Sequence, residues 1–133
     1  NVVSHIGVTP QKFKNFNKIR AVGSLESEKL KICKLAVDLE EAGTSLIILE
    51  CIKKDLAKEI TKILKIPTIG IGSAVNCDGQ VLVINDVLAT DKSVKKLRFV
   101  KNYCKLDAII EKAVKRYCYE VKTKKFPKKK NSY

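Results

Sequence analysis

Few residues in this sequence have the types and spacing that chemistry needs. Glu50 closes the apolar run Ser45–Glu50 (SLIILE), so a strand there would carry a carboxylate at its C-terminal end. Such a carboxylate can serve as a general base; the plainer alternative is a surface residue that leads out of the strand. His5 is the one histidine, and it stands in HIGVTPQ, residues 5–11, at the end of another short apolar run. No carboxylate lies near it in sequence, so taken alone it reads as a satisfied structural residue sooner than as a catalyst. The run Gly70-Ile71-Gly72-Ser73 follows a third apolar segment, with Gly72 and Ser73 as its candidate substrate-contacting positions. Glycines there let a backbone approach a ligand closely, although a plain strand-to-loop turn gives the same pattern. Asp78-Gly79 is a turn pair first, and Asp78 reads as structural. The five cysteines are odd in number, form no CxxC pair and have no histidine at metal-ligand spacing. They read as free thiols in a reducing, cytoplasmic setting, packed as small apolar residues. Acidic residues nowhere cluster as a metal site requires, so no metal ligand is assigned in this chain.

The elements that must position these groups alternate. Residues 1–8 read as a strand that runs into a turn at Thr9-Pro10, and residues 12–24 are irregular up to the breaker Gly23-Ser24. Leu30, Ile32, Cys33, Leu35, Ala36, Val37 and Leu39 recur at helical spacing up to Ala42. Ser24 or Ser27 is the candidate N-cap, and Gly43 stands where a C-terminal glycine belongs. Ser45–Glu50 is apolar on both faces until its last residue, which suits a parallel strand covered by helices. Lys53–Leu64 predicts a second helix, Thr68–Ile71 a strand, Gly72–Gly79 a loop and Val81–Ile84 (VLVI) the last strand. A third helical region runs from Ser93 to about Thr123, with a break near Lys105–Asp107. Residues 1–123 thus form one βα module, and residues 124–133 a basic tail. This alternation means parallel βαβ units. It fits a small doubly wound sheet or half of a (β/α)8 barrel, which takes about 250 residues when whole.

Composition narrows the functions. At 133 residues and 45% apolar, the chain can bury a core. No stretch approaches the roughly 20 apolar residues that a membrane span needs, and no targeting segment is recognisable. The net charge of +13 invites nucleic-acid binding, but only Arg20, Arg98 and Arg116 among the basic residues are arginine. Lysine is spread over the polar helix faces, whereas base and phosphate recognition favours arginine forks. A coding bias toward Lys, Ile and Asn gives the same charge, so neither nucleic acid nor membrane is expected as a partner. The chain starts at Asn1 and contains no methionine. It therefore reads as a fragment, a processed product or one half of a split gene.

Three segments carry a resemblance: HIGVTPQ at residues 5–11, LECIKKDLAKEITKILKIPT at 49–68 leading into IGIG at 69–72, and DGQVLV at 78–83 followed by Asn85-Asp86. Together with RFVKNY at 98–103 and EVKTKKFP at 120–127, they resemble the ketopantoate hydroxymethyltransferase family over nearly the whole chain. Ala74 departs from the family's pattern, where glycine follows the residue at position 73, and Asn85 stands where histidine is common.

The resemblance implies an α/β fold, the C-terminal half of a (β/α)8 TIM barrel, with this chain supplying its fifth to eighth strands. The implied reaction adds a hydroxymethyl group from 5,10-methylenetetrahydrofolate to 3-methyl-2-oxobutanoate, in pantothenate synthesis. Glu50 matches the family's proton acceptor, and His5 its substrate pocket. Mg²⁺ is implied as the holder of the keto acid, with its ligands and a substrate-binding lysine in the N-terminal half of the barrel. The implied partners are the keto acid, the folate, that N-terminal half and further copies of the enzyme. A non-catalytic remnant of the same enzyme is the alternative.

Overall fold

The computed structural model describes residues 1–9, 19–90 and 97–133. The expected turn at Thr9-Pro10, most of the irregular stretch after it and the expected helix start at Ser93 lie outside the described residues. The chain divides into two compact units, Asn1–Leu82 with Lys95–Val100, and Val83–Val94 with Lys101–Tyr133.

The first unit is built on strands β1 (Val3–Gly7), β2 (Leu46–Glu50), β3 (Thr68–Ile71) and β4 (Gly79–Gln80), with helices α1 (Glu26–Glu41) and α2 (Lys54–Ile63) in the crossovers. All neighbours are parallel, in the order β1-β2-β3-β4. That order resolves the choice the periodicity leaves open. A doubly wound sheet reverses its strand order at a switch point, whereas a barrel adds each strand beside the one before it. The sheet is the α/β arrangement of half a (β/α)8 barrel.

One sheet face carries the core. Ile6, Ile47 and Leu49 pack with Ala36 of α1 and with Leu56, Ala57 and Ile60 of α2. Strand residues alternate between faces. His5, Gly7, Ile48, Glu50, Ile69 and Ile71 therefore share the opposite, half-open face.

α1 starts differently from its sequence expectation. Its N-cap is Leu25, with no side-chain cap. Glu28 instead reaches back from the first turn, where its Oε2 accepts the Gly23 and Ser24 amides at 3.1 and 3.2 Å. That contact ties the two residues before the N-cap to the first turn, and neither Ser24 nor Ser27 caps the helix. Gly43 ends the helix as expected: it adopts φ +91°, its amide bonds Glu40 O, and the Thr44 amide reaches Leu39 O. Those are the paired bonds of a left-handed helix stop.

The last strand requires a larger correction. Val81–Ile84 is not a strand. Only Gly79 and Gln80 pair with β3, at Ile69 and Gly70. The Val81 amide still reaches Gly70 O at 3.0 Å, but Val83 is already the N-cap of a short helix, α3 (Ile84–Leu88). β4 is the edge of the described sheet, so the apolar run meets no further strand, and Val81, Val83 and Ile84 are exposed. The Gly72–Asp78 link also carries no helix, which is shorter than parallel crossovers generally require.

The second unit holds α3 and α4 (Leu106–Lys122), and α4 starts at the expected break. The Tyr103 amide bonds Val87 O and the Asp107 amide bonds Ala89 O, which ties the segment before α4 to α3. Beyond α4, the Phe126 ring meets Tyr117 edge-on at 5.6 Å, and a 3-10 turn spans Lys129–Asn131.

Candidate active site

Glu50 is the last residue of β2 and lies opposite Gly7 of β1, while His5 lies opposite Ile48. The Glu50 side chain reaches back along β1, toward the residue two positions before Gly7 on the same sheet face. Its Oε2 meets His5 Nε2 at 2.9 Å. An ionised carboxylate can only accept, so this bond requires the imidazole hydrogen on Nε2. The Glu50 side chain is 13% exposed and that of His5 35%, which leaves the pair reachable from one side. The sheet thus gives His5 the carboxylate partner that its sequence neighbourhood lacks, 45 residues away. The sequence-based argument against a direct role for His5 rested on that lack and does not hold.

Gly7 has its own constraint. Its φ is +120°, and a Cβ there would lie 2.0 Å from the Glu50 carbonyl oxygen. The Val8 amide bonds that same oxygen at 3.0 Å. Only glycine lets the two backbones come this close.

The turn after Glu50 is held in an unusual conformation. Cys51 has φ +52°, the left-handed region that costs a non-glycine residue about 1–3 kcal/mol. Its neighbours over-determine it. The Cys51 amide bonds Ile71 O at 2.9 Å, and the Val22 amide bonds Cys51 O at 2.9 Å. Burial raises the Cys51 thiol above its ordinary value, and the Glu50 charge adds to this.

Ser73 and Gly72 sit beside this turn. Ser73 Oγ donates to Leu49 O at 2.7 Å and accepts the Ile52 amide at 3.1 Å. The hydroxyl is therefore committed to backbone on both sides of Glu50. Gly72 has φ +63°, and the Phe99 ring occupies the space a Cβ would take, 2.6 Å from its position. Glycine at 72 is required by that conformation and that ring. Asp78 is structural, as its turn pattern suggests. Its Oδ2 accepts the Thr68 amide at 2.8 Å and the Thr68 hydroxyl at 3.2 Å, joining the start of β3 to the turn before β4.

Among the described residues, no group of three His, Cys, Asp or Glu could hold a metal ion. Glu50 is the one carboxylate of its pair and its Oε2 already accepts from His5 Nε2, whereas Mg²⁺ is a hard cation held through oxygen ligands. The described residues do not fit Mg²⁺. Among the described residues, no helix is long and apolar enough to cross a membrane.

Comparison with known proteins gives a consistent result. The family model for ketopantoate hydroxymethyltransferase matches residues 1–129. The 3-methyl-2-oxobutanoate hydroxymethyltransferase of Bdellovibrio bacteriovorus is 43% identical over 132 residues, 99% of this chain and 50% of that protein. The protein of the same name from Pelagibacter ubique is 45% identical, again over 99% of this chain and 49% of its own. That of Saccharolobus solfataricus is 42% identical over 96% of this chain and 47% of its own. The chain spans about half the length of the curated relatives it matches.

Proposed function

Because the chain belongs to the ketopantoate hydroxymethyltransferase family, we propose that it supplies the proton-abstracting half of a 3-methyl-2-oxobutanoate hydroxymethyltransferase. The observation that carries this reading is the Glu50 carboxylate at the C-terminal end of a parallel strand, shielded to 13% exposure and held 2.9 Å from His5. Barrel active sites lie at that end of the strands.

The acidic hydrogen of 3-methyl-2-oxobutanoate is on the carbon next to its ketone. Glu50 takes that proton, and the electron pair passes into the enolate. His5, donating through Nε2 to Oε2, orients the carboxylate so that Oε1 receives the proton. The enolate carbon then bonds the one-carbon unit of 5,10-methylenetetrahydrofolate. Water supplies the hydroxyl oxygen: both C–N bonds that hold the one-carbon unit break, the two folate nitrogens each take up a proton, one from Glu50 and one from water, and tetrahydrofolate leaves with ketopantoate as the product. The turn Gly72-Ser73 borders the substrate through its backbone, since the Ser73 hydroxyl is engaged elsewhere.

Mg²⁺ belongs, in this reading, to the other half of the barrel, where it would hold the keto acid. The open sheet face and the exposed Val2, Val3, Val81 and Val83 leave apolar surface for that half to cover. Cytoplasmic location and assembly of several copies are part of the same proposal.

The test is ketopantoate formation by this chain combined with the barrel's N-terminal half, with each half alone as control. Turnover only in the mixture supports the reading. A folded, reconstituted barrel without turnover leaves the non-catalytic remnant.

A further inference from the structure

We propose that Ser73 is a positioning residue, whose hydroxyl brackets Glu50 and Cys51 and so fixes the Glu50 carboxylate at His5. The inference rests on the reading of Glu50 as the proton acceptor. Ser73 Oγ donates to Leu49 O at 2.7 Å and accepts from Ile52 N at 3.1 Å. These are the backbone atoms that flank Glu50-Cys51. The bracket comes from a different loop, 24 and 21 residues away in sequence, so it is a cross-link and not a local turn.

The loop that holds Ser73 is itself fixed. Gly72 before it has its backbone covered by the Phe99 ring. Ala74 after it is buried, and its carbonyl accepts both the Gln80 side-chain amide at 2.8 Å and the Cys77 amide at 3.3 Å. A rigid loop therefore sets the height of the Glu50 turn.

Loss of the hydroxyl has a defined consequence. Ile52 is 1% exposed, so its amide would be left buried without the Ser73 acceptor. A buried unpaired donor is costly, and the segment shifts to find another partner. The bonds of Cys51 to Ile71 and Val22 remain, so the unit keeps its fold. What moves is the carboxylate between the two bracketed atoms.

The experiment uses Ser73→Ala and Ser73→Thr in this chain, combined with the N-terminal half. His5 is the one histidine of the chain, so ¹⁵N-histidine introduced into this chain alone reports its imidazole without overlap. In the parent, the nitrogen shifts should show a hydrogen fixed on Nε2, with Glu50→Gln giving the reference for a lost carboxylate. We expect Ser73→Ala to move the His5 signals toward that reference. We also expect kcat to fall roughly 10- to 100-fold with KM little changed. Ser73→Thr, which restores a hydroxyl, should recover both. An alanine variant with parental His5 signals and parental kcat overturns the proposal, even in a fully active enzyme. An alanine variant that loses its far-UV circular dichroism also overturns it, because the bracket would then serve folding alone. If the parent shows no turnover, the reading of Glu50 as base fails, and the His5 signals still decide whether Ser73 sets the pair.

Discussion

His5 Nε2 lies 2.9 Å from Glu50 Oε2, although 45 residues separate the two along the chain. The parallel register of β1 and β2 makes the meeting possible, because it sets His5 and Glu50 on one sheet face. His5→Ala should remove the donor that orients Glu50 and lower kcat at least tenfold, in line with the loss of one positioning hydrogen bond. His5→Asn, whose amide can still donate, should retain more. Steady-state kinetics of the reconstituted enzyme separate the two, and equal losses would mean that orientation is not the role of His5.

Gly7→Ala should be among the most damaging single changes in the first unit. The added methyl meets the Glu50 carbonyl at 2.0 Å, at a φ of +120°. Separating β1 from β2 would also pull Glu50 away from His5. A loss of several kcal/mol is expected, as for other changes at special backbone positions. Urea unfolding followed by circular dichroism measures it, and a midpoint near the parent's would contradict the close approach.

Leu49→Ala tests the packed face. Leu49 is fully buried between the sheet and the helices. Truncation there should cost about 2–5 kcal/mol, transfer and cavity terms together. Val81→Ala should cost far less in the chain alone, because Val81 is exposed there. Both are read from denaturant midpoints.

Asp78 contributes an acid-sensitive element. The Thr68 amide holds its carboxyl below the ordinary value, burial opposes this, and the Thr68 hydroxyl adds to the lowering. A folded value below the unfolded one means that the stabilisation is present above the unfolded value of about 3.9 and is lost as pH falls through the folded one. Asp78→Asn should therefore flatten the acid limb of stability against pH and leave its shape near neutrality unchanged. Unfolding midpoints across the acid range check this.

The cysteines should react in order of burial. Cys51 is buried and its thiol is raised, first by burial and then by the Glu50 charge. Cys118 is exposed on α4. Since the thiolate is the reactive form, an alkylating reagent at neutral pH should take Cys118 early and Cys51 last. Glu50→Gln should speed the Cys51 reaction. Mass spectrometry of timed samples reads both.

What the sequence makes legible follows from local rules. Apolar periodicity places β1, β2, β3, α1 and α2 within a residue or two, because each buries one face against the others. Glu50 is visible because a charge closing an apolar run is conspicuous. VLVI misleads because an apolar run reads as a strand whether or not a neighbour exists to pair with it. Only Gly79 and Gln80 have that neighbour in β3. The His5–Glu50 pair and the Ser73 bracket are invisible for a different reason. Both depend on register between segments far apart in sequence, which no window of local pattern contains. The signal at Ser73 is only a small polar residue in a glycine-rich loop, and nothing local to it tells that its hydroxyl grips the turn after Glu50.

Hydrogen exchange at the substrate carbon tests the role of Glu50 most directly. The reconstituted enzyme would be incubated in deuterium oxide with 3-methyl-2-oxobutanoate and Mg²⁺ but no folate, and loss of the proton next to the ketone followed by NMR. The parent should exchange that proton, and Glu50→Gln should slow the exchange by about 100-fold or more while still binding the keto acid. Exchange that persists at the parental rate in Glu50→Gln would contradict Glu50 as the base.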